Sequence, residues 1–367
     1  AFSTKEIING MVIENKNGKG GKRRMKIKLN KSIALAVMLL TVVSVASGCK
    51  NKKDPGNGGN NNTQTDSSLT DLTVRVADGE NGVVAAANPF AANAGLQVLK
   101  AGGNAFDAAV AVSFALGVTE PHCSSIGGGG ILVGYDANEG DFVSYNFREF
   151  VPELGTASAY KADEIDGVND REDGVRSIGV PTQVQSLLTV LDEHGNFKNN
   201  AEGREKVIGP ARDLCNNGFE VTKELHQALA DAAGYNSWKR DEQAKSIYGK
   251  RGKDTALSVG DIMKNPNLGN VYQEIISAGA AGFYDGWVKD RILECAGTES
   301  PTSIWGEKGL ITEADFEYAL ENYPMAKTPV MGTYRDYDII SSAPPSSGGL
   351  ILVEALNMIE VYEQNYG

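Results

Sequence analysis

Residues 105–117 place five Ala beside Val110, Val112, Phe114 and Leu116. Wound as a helix, this run is apolar around nearly its whole circumference, so it must be buried in tight packing on all sides. Asn104 with Asp107 three residues later forms a capping-box signature that starts the helix. An earlier helix begins at Asn88-Pro89, an N-cap followed by Pro at the first helical position, and stops at Gly102-Gly103. A short apolar strand at 83–87 precedes it. After the apolar helix, Gly127 to Gly130 lead into strands at 131–135 and 142–147, joined by a turn at Asn138-Glu139-Gly140, which reads as a hairpin. Helical patterns follow at 181–193, 202–216, 223–232, 270–278 and 287–295. Another helix opens at Thr312. A second hairpin spans 328–333 and 337–342, and Gly349 leads into an apolar helix over 350–362. The body is mixed α/β with one sizeable core.

The charge is unevenly spread. The formal net charge of −12 divides into +8 over residues 1–69 and −20 over 70–367. Met25, followed by Lys26, Lys28 and Lys31, starts a basic segment. An uncharged run of 17 residues, 32–48, comes next and ends in Ala46-Ser47-Gly48 before Cys49. A basic stretch, a short apolar stretch and small residues before a cut site describe a secretory signal. The Cys placed just after Ala-Ser-Gly resembles a bacterial lipobox, which implies lipidation of Cys49. A membrane helix is the alternative, at the low edge of the roughly 17–25 residues that span a bilayer. The chain thus divides into a leader upstream of the natural start (1–24), a lipoprotein signal peptide (25–48), a polar tether too poor in apolar residues to fold (49–77) and a body (78–367). Export, with a lipid anchor holding the body outside the membrane, is the localisation this implies.

The acidic body argues against nucleic acid as a partner. Cys123, Cys215 and Cys295 allow at most one internal disulfide. Adjacent His122 and Cys123 are a poor pair for one zinc ion. No metal or organic cofactor is implied. The run 127–130 precedes a strand instead of joining a strand to a helix, so it is not a dinucleotide fingerprint, and no GxxxxGK[ST] follows the signal segment. GxSxG is absent as well. Arg148 ends the second strand of the first hairpin, where a planar, permanently charged guanidinium can clamp a carboxylate bidentately; an ordinary surface ion pair is the simpler alternative.

Seven pieces in one order carry a resemblance. They are Ala85 to Gly95, Leu99 to Val110, Gly117-Val-Thr-Glu-Pro-His122 with Ile126-Gly-Gly-Gly-Gly130, Arg148-Glu149, Ser177-Ile-Gly-Val-Pro181, Gly309 to Asp315, and Pro344-Pro-Ser-Ser-Gly-Gly349. Together they resemble the γ-glutamyltranspeptidases over about residues 83–367. The resemblance implies an N-terminal nucleophile hydrolase with a four-layer αββα sandwich, incomplete in this chain. It implies a precursor that cuts itself, and a Thr nucleophile at the new N-terminus of a small subunit that lies beyond Gly367. That Thr would attack a γ-glutamyl amide with its own amine as base, and the acyl group would pass to water, an amino acid or a peptide. Arg148 matches the Arg that holds the substrate α-carboxylate, while Glu149 orients its neighbours. No catalytic residue is expected within 1–367. The small subunit of the same precursor and the membrane, reached through the anchor, are the implied partners. Ser125, Phe150-Val151 and Thr182 depart from the family pattern, which bears on substrate preference more than on fold. A capsule poly-γ-glutamate depolymerase, a β-lactam acylase or a non-catalytic surface binding lipoprotein are the alternatives to glutathione and related γ-glutamyl substrates.

Overall fold

The structure is a computed structural model of the 367-residue chain. It describes residues 4–8, 11–15, 77, 79–160, 174–231, 236–298, 300 and 308–366. These belong to one of the chain's two compact units, Phe2–Lys16 with Leu69–Gly367. The signal segment 25–48, Cys49 and nearly all of the tether 49–77 lie outside the described residues.

The strands, in chain order, are β1 (Thr4–Ile8), β2 (Met11–Asn15), β3 (Val83–Val84), β4 (Gly130–Asp136), β5 (Asp141–Phe147), β6 (Phe219–Glu220), β7 (Ile262–Met263), β8 (Met325–Lys327), β9 (Val330–Tyr334) and β10 (Tyr337–Ser341). The helices are α1 (Pro89–Lys100), α2 (Ala105–Thr119), α3 (Gln183–His194), α4 (Ala201–Asn217), α5 (Lys223–Ala230), α6 (Glu242–Tyr248), α7 (Pro266–Ala278), α8 (Ala281–Tyr284), α9 (Trp287–Ala296), α10 (Glu313–Asn322) and α11 (Gly348–Tyr366). Six strands form one sheet in the order β3-β2-β1-β4-β5-β8, antiparallel throughout. The pairs β9–β10 and β6–β7 stand apart from it.

The anticipated hairpin forms with Gly130↔Phe147 and Asp136↔Asp141 as its outer pairs. Asp136 closes its turn by accepting the Asn138 N–H at 2.8 Å. The expected strand at 83–87 shortens to Val83–Val84, because Asn88 is drawn into capping: its Oδ1 accepts the Phe90 N–H at 3.0 Å. The helix expected at 270–278 starts four residues earlier, where Asn265 caps it and Pro266 takes the first position. No pattern had pointed to α6, a short helix capped by Asp241.

Every residue of α2 is buried. Its capping box is formed in full: Asn104 Oδ1 accepts the Asp107 N–H at 3.0 Å, and the Asp107 carboxylate accepts the Asn104 N–H at 2.7 Å. That carboxylate also accepts the N–H groups of Asn196 and Phe197, tying the helix start to the loop after α3. Gly95 lets α1 approach closely, since a Cβ there would sit 2.6 Å from a methyl of Val112. On another side Phe114 meets Tyr272 of α7 edge-on, and the Tyr272 hydroxyl donates to the Phe114 carbonyl at 2.9 Å. Helices α1, α3 and α4 pack around α2, while Leu132 and Phe147 bring the sheet into the same core.

Candidate functional site

The site grows out of the end of β5. The ladder with β4 stops at Gly130↔Phe147, so Arg148 is the first residue beyond it. Three neighbours then hold the backbone. Asn146 Oδ1 accepts the Arg148 N–H at 3.2 Å. Phe150 bridges Val180, whose N–H donates to the Phe150 carbonyl at 2.8 Å. Gly129 lies against this segment so closely that a Cβ would come within 2.6 Å of the Glu149 nitrogen and 2.8 Å of Thr182 Oγ1. The glycine run therefore acts as a close-packing surface for the strand end.

The Arg148 side chain is 58% exposed and enters a cleft of about 680 Å³. Its Nη2 donates to Glu149 Oε1 at 2.9 Å. An ion pair this exposed contributes little to stability. It keeps the guanidinium oriented, and an incoming carboxylate can replace it at small cost. The fork has five N–H donors, so bidentate capture of a carboxylate remains open to it.

The turn after α2 also lines the cleft. Glu120, 6% exposed, accepts from Asn88 Nδ2 at 3.1 Å, and its second oxygen lies 3.2 Å from His122 Nε2. The cap of α1 and the end of α2 are thereby joined through one carboxylate. Burial, then the charge of Glu120, push the Cys123 thiol up, which disfavours the thiolate and with it a nucleophilic role. Ser125 Oγ accepts the Gly127 N–H at 3.1 Å and shapes the start of the glycine run. Phe150 turns away to stack on Tyr323 at 5.5 Å, with Tyr318 edge-on at 5.2 Å.

The structure thus brings Arg148 and Glu149 together with Glu120, His122, Cys123 and the glycine run around one cleft. The motif Gly117-Val-Thr-Glu-Pro-His122 contains both Glu120 and His122, but its pattern gives Glu120 no role of its own. The link from Asn88 to Glu120 spans 32 residues and becomes visible only when α1 packs on α2. Among the described residues no group of three or more His, Cys, Asp or Glu side chains could hold a metal ion. Cys123, Cys215 and Cys295 are all free.

The antiparallel sheet backed by a buried helical layer is part of an N-terminal nucleophile hydrolase sandwich. Residues 91–367 match the family model of gamma-glutamyltranspeptidase, and the chain belongs to that family. It is 33% identical over 285 residues to the glutathione hydrolase proenzyme of Bacillus subtilis (strain 168), covering 77% of this chain and 45% of that protein. It is equally identical over 293 residues to the glutathione hydrolase proenzyme of Escherichia coli (strain K12), covering 78% of this chain and 47% of that one. Among solved structures, the γ-glutamyltranspeptidase of Helicobacter pylori superposes with a TM-score of 0.66 at 31% identity, over 80% of this chain and 79% of the other. The chain spans about half the length of the curated relatives it matches.

Proposed function

We propose that this chain is the donor-binding part of an exported, lipid-anchored enzyme that transfers or hydrolyses the γ-glutamyl group of glutathione and related compounds. The observation that carries the reading is the Arg148 guanidinium, exposed into the cleft on a strand end braced by Gly129 and Thr182. A body with formal charge −20 repels anionic ligands at long range, so capture of a carboxylate requires a local, oriented cation. Arg148 supplies it: two N–H groups grip the substrate α-carboxylate and Glu149 gives way. The donor is then fixed at one end while its γ-amide faces the nucleophile.

The nucleophile belongs to a segment outside residues 1–367. There a Thr Oγ adds to the γ-carbonyl carbon and passes its proton to the amine of the same residue. The amide C–N bond breaks, and that proton goes to the leaving nitrogen. Water or an amine then takes the acyl group by the reverse exchange. Residues of this chain bind and orient; they do not form or break the bond.

The test uses the product of the complete coding sequence and a chromogenic γ-glutamyl anilide. Arg148→Ala should raise KM by about 10- to 100-fold, the worth of a charge-assisted pair, with a smaller change in kcat. An unchanged KM removes Arg148 from the site. A wild-type protein that releases no amine favours the non-catalytic binding lipoprotein.

A further inference from the structure

Thr182 is one of the positions that depart from the family pattern, and its side chain is fully buried. Its hydroxyl donates to the carbonyl oxygen of Phe147, the residue joined directly to Arg148. Its own N–H and that of Gln183 both donate to the Gly128 carbonyl, at 3.0 and 3.1 Å. One residue thus grips both sides of the contact that supports Arg148: the glycine run through its backbone, and the strand end through its hydroxyl. Two residues earlier, Val180 grips Phe150. The peptides from 147 to 150 are therefore braced at both ends by a single segment, Val180 to Gln183.

We propose that Thr182 is a positioning residue for donor binding, its hydroxyl setting the peptide plane between Phe147 and Arg148 and hence the aim of the guanidinium. The proposal rests on the γ-glutamyl reading of Arg148. A glycine at 182 can make the same backbone bonds to Gly128 but has no group to hold Phe147. The strand end is then free to rock by a few tenths of an ångström. Bidentate capture of a carboxylate is sensitive to such a shift, because both N–H···O bonds must stay near linear. A buried hydroxyl spent on one carbonyl thus serves the site through the backbone, without touching substrate.

The experiment compares two donors in the product of the complete coding sequence. One is a γ-glutamyl anilide; the other is a 4-aminobutyryl anilide, which lacks the α-carboxylate. Thr182→Val keeps the shape and removes the hydroxyl. It should raise KM for the γ-glutamyl donor about tenfold, leave kcat within about twofold, and leave KM for the 4-aminobutyryl donor unchanged. Thr182→Ser should restore the wild-type KM. In an Arg148→Ala background Thr182→Val should add nothing, since the group it aims is gone. Equal losses with both donors, an unchanged KM, or a full additional loss on Arg148→Ala would each overturn the proposal. If Thr182→Val shows no cooperative melt, Thr182→Ala alone and with Arg148→Ala makes the same comparison, and a normal KM in Thr182→Ala overturns it. A wild-type protein inactive on the γ-glutamyl donor sinks the γ-glutamyl reading and this inference together. An active wild type with a raised KM in Arg148→Ala but not in Thr182→Val sinks only the inference.

Discussion

At the scale of single residues, a polar chain away from the cleft links four side chains. Asp136 Oδ2 lies 2.7 Å from His194 Nδ1, His194 Nε2 lies 2.8 Å from the Tyr145 hydroxyl, and that hydroxyl donates to Glu193 at 2.5 Å. Phe106 covers the imidazole face at 4.8 Å. Burial by itself would raise the Asp136 carboxyl, but the bonds from His194, Asn138 and Glu139 outweigh it and hold it below the ordinary carboxylate range. A carboxyl lowered on folding adds stability that is complete above its unfolded value of about 3.9 and is lost as pH falls through the lower folded value. Asp136→Asn should therefore cost about 1–3 kcal/mol in urea unfolding at pH 7, with the gap to wild type closing as pH drops toward 2. A gap constant across that range would show that the charge of Asp136 is not what matters. Tyr145 works in the opposite sense. Burial, then the bond to Glu193, push its hydroxyl up, so its contribution persists below the unfolded value and is lost in strong alkali. None of these four residues was legible as a group in the sequence, because Asp136 and His194 are 58 positions apart. The strand end that carries Arg148 was legible as the close of a hairpin strand, but from its own residues Arg148 read as a surface ion pair, and its carboxylate-binding role is implied only by the family resemblance. Thr182 was visible only as a departure, and its meaning depends on a carbonyl 35 residues away.

At the scale of elements, apolar pattern predicted existence better than surroundings. The run at α2 has no polar face, and the helix is buried along its full length. The run at α11 is also strongly apolar, yet Ile351, Met358 and Tyr362 are exposed while the helix packs on β9 and β10. Composition states what an element would bury; the neighbours decide what it does bury. For α2 those neighbours leave no slack. Ala109 and Val112 are at most 1% exposed, so Ala109→Asp places an unpaired carboxylate in a filled space. That change should abolish cooperative unfolding or cost more than about 4 kcal/mol. Asn104→Ala removes the hydrogen bond to Asp107 and the donor to the His194 carbonyl at 2.6 Å, and should cost about 1–2 kcal/mol while leaving the fold intact. Urea melts followed by circular dichroism check both values. Similar losses from the two changes would mean that α2 is held by its cap more than by its packing. Helix starts were legible at Asn88, Asn104 and Thr312, but the starts capped by Asp241 and Asn265 were missed, so a capping residue alone is not a sufficient signal. Strand edges were less so, since β3 and β8 are two and three residues long and exist through partners distant in the chain.

At the scale of the whole molecule, the two ends of the charge distribution make opposing demands. The basic segment and the uncharged run before Cys49 fit a signal cut just ahead of that cysteine, leaving the acidic body on a lipid anchor. The sheet order, however, sets β1 and β2 between β3 and β4, with Ile7↔Val133 and Ile8↔Leu132 joining the first strand to the body. Cleavage before Cys49 would part residues 4–15 from the sheet and leave facing edges on β3 and β4 for other strands to pair. One mature molecule cannot hold both arrangements. We favour the anchor, because a cysteine placed directly after Ala-Ser-Gly has a chemical use there and the hairpin has no comparable one. Mass spectrometry of protein from the membrane fraction should then find a lipid-modified Cys49 as the first residue and no peptide from residues 4–15. Cys49→Ala should move the protein from the detergent phase to the aqueous phase on phase separation, since one diacylated cysteine carries most of the membrane affinity. An unmodified Cys49 in a chain that retains residues 4–15 would overturn the anchor and make the hairpin a permanent part of the sheet. In that event export itself would need another explanation, and the facing edges of β3 and β4 would be closed from within the same chain.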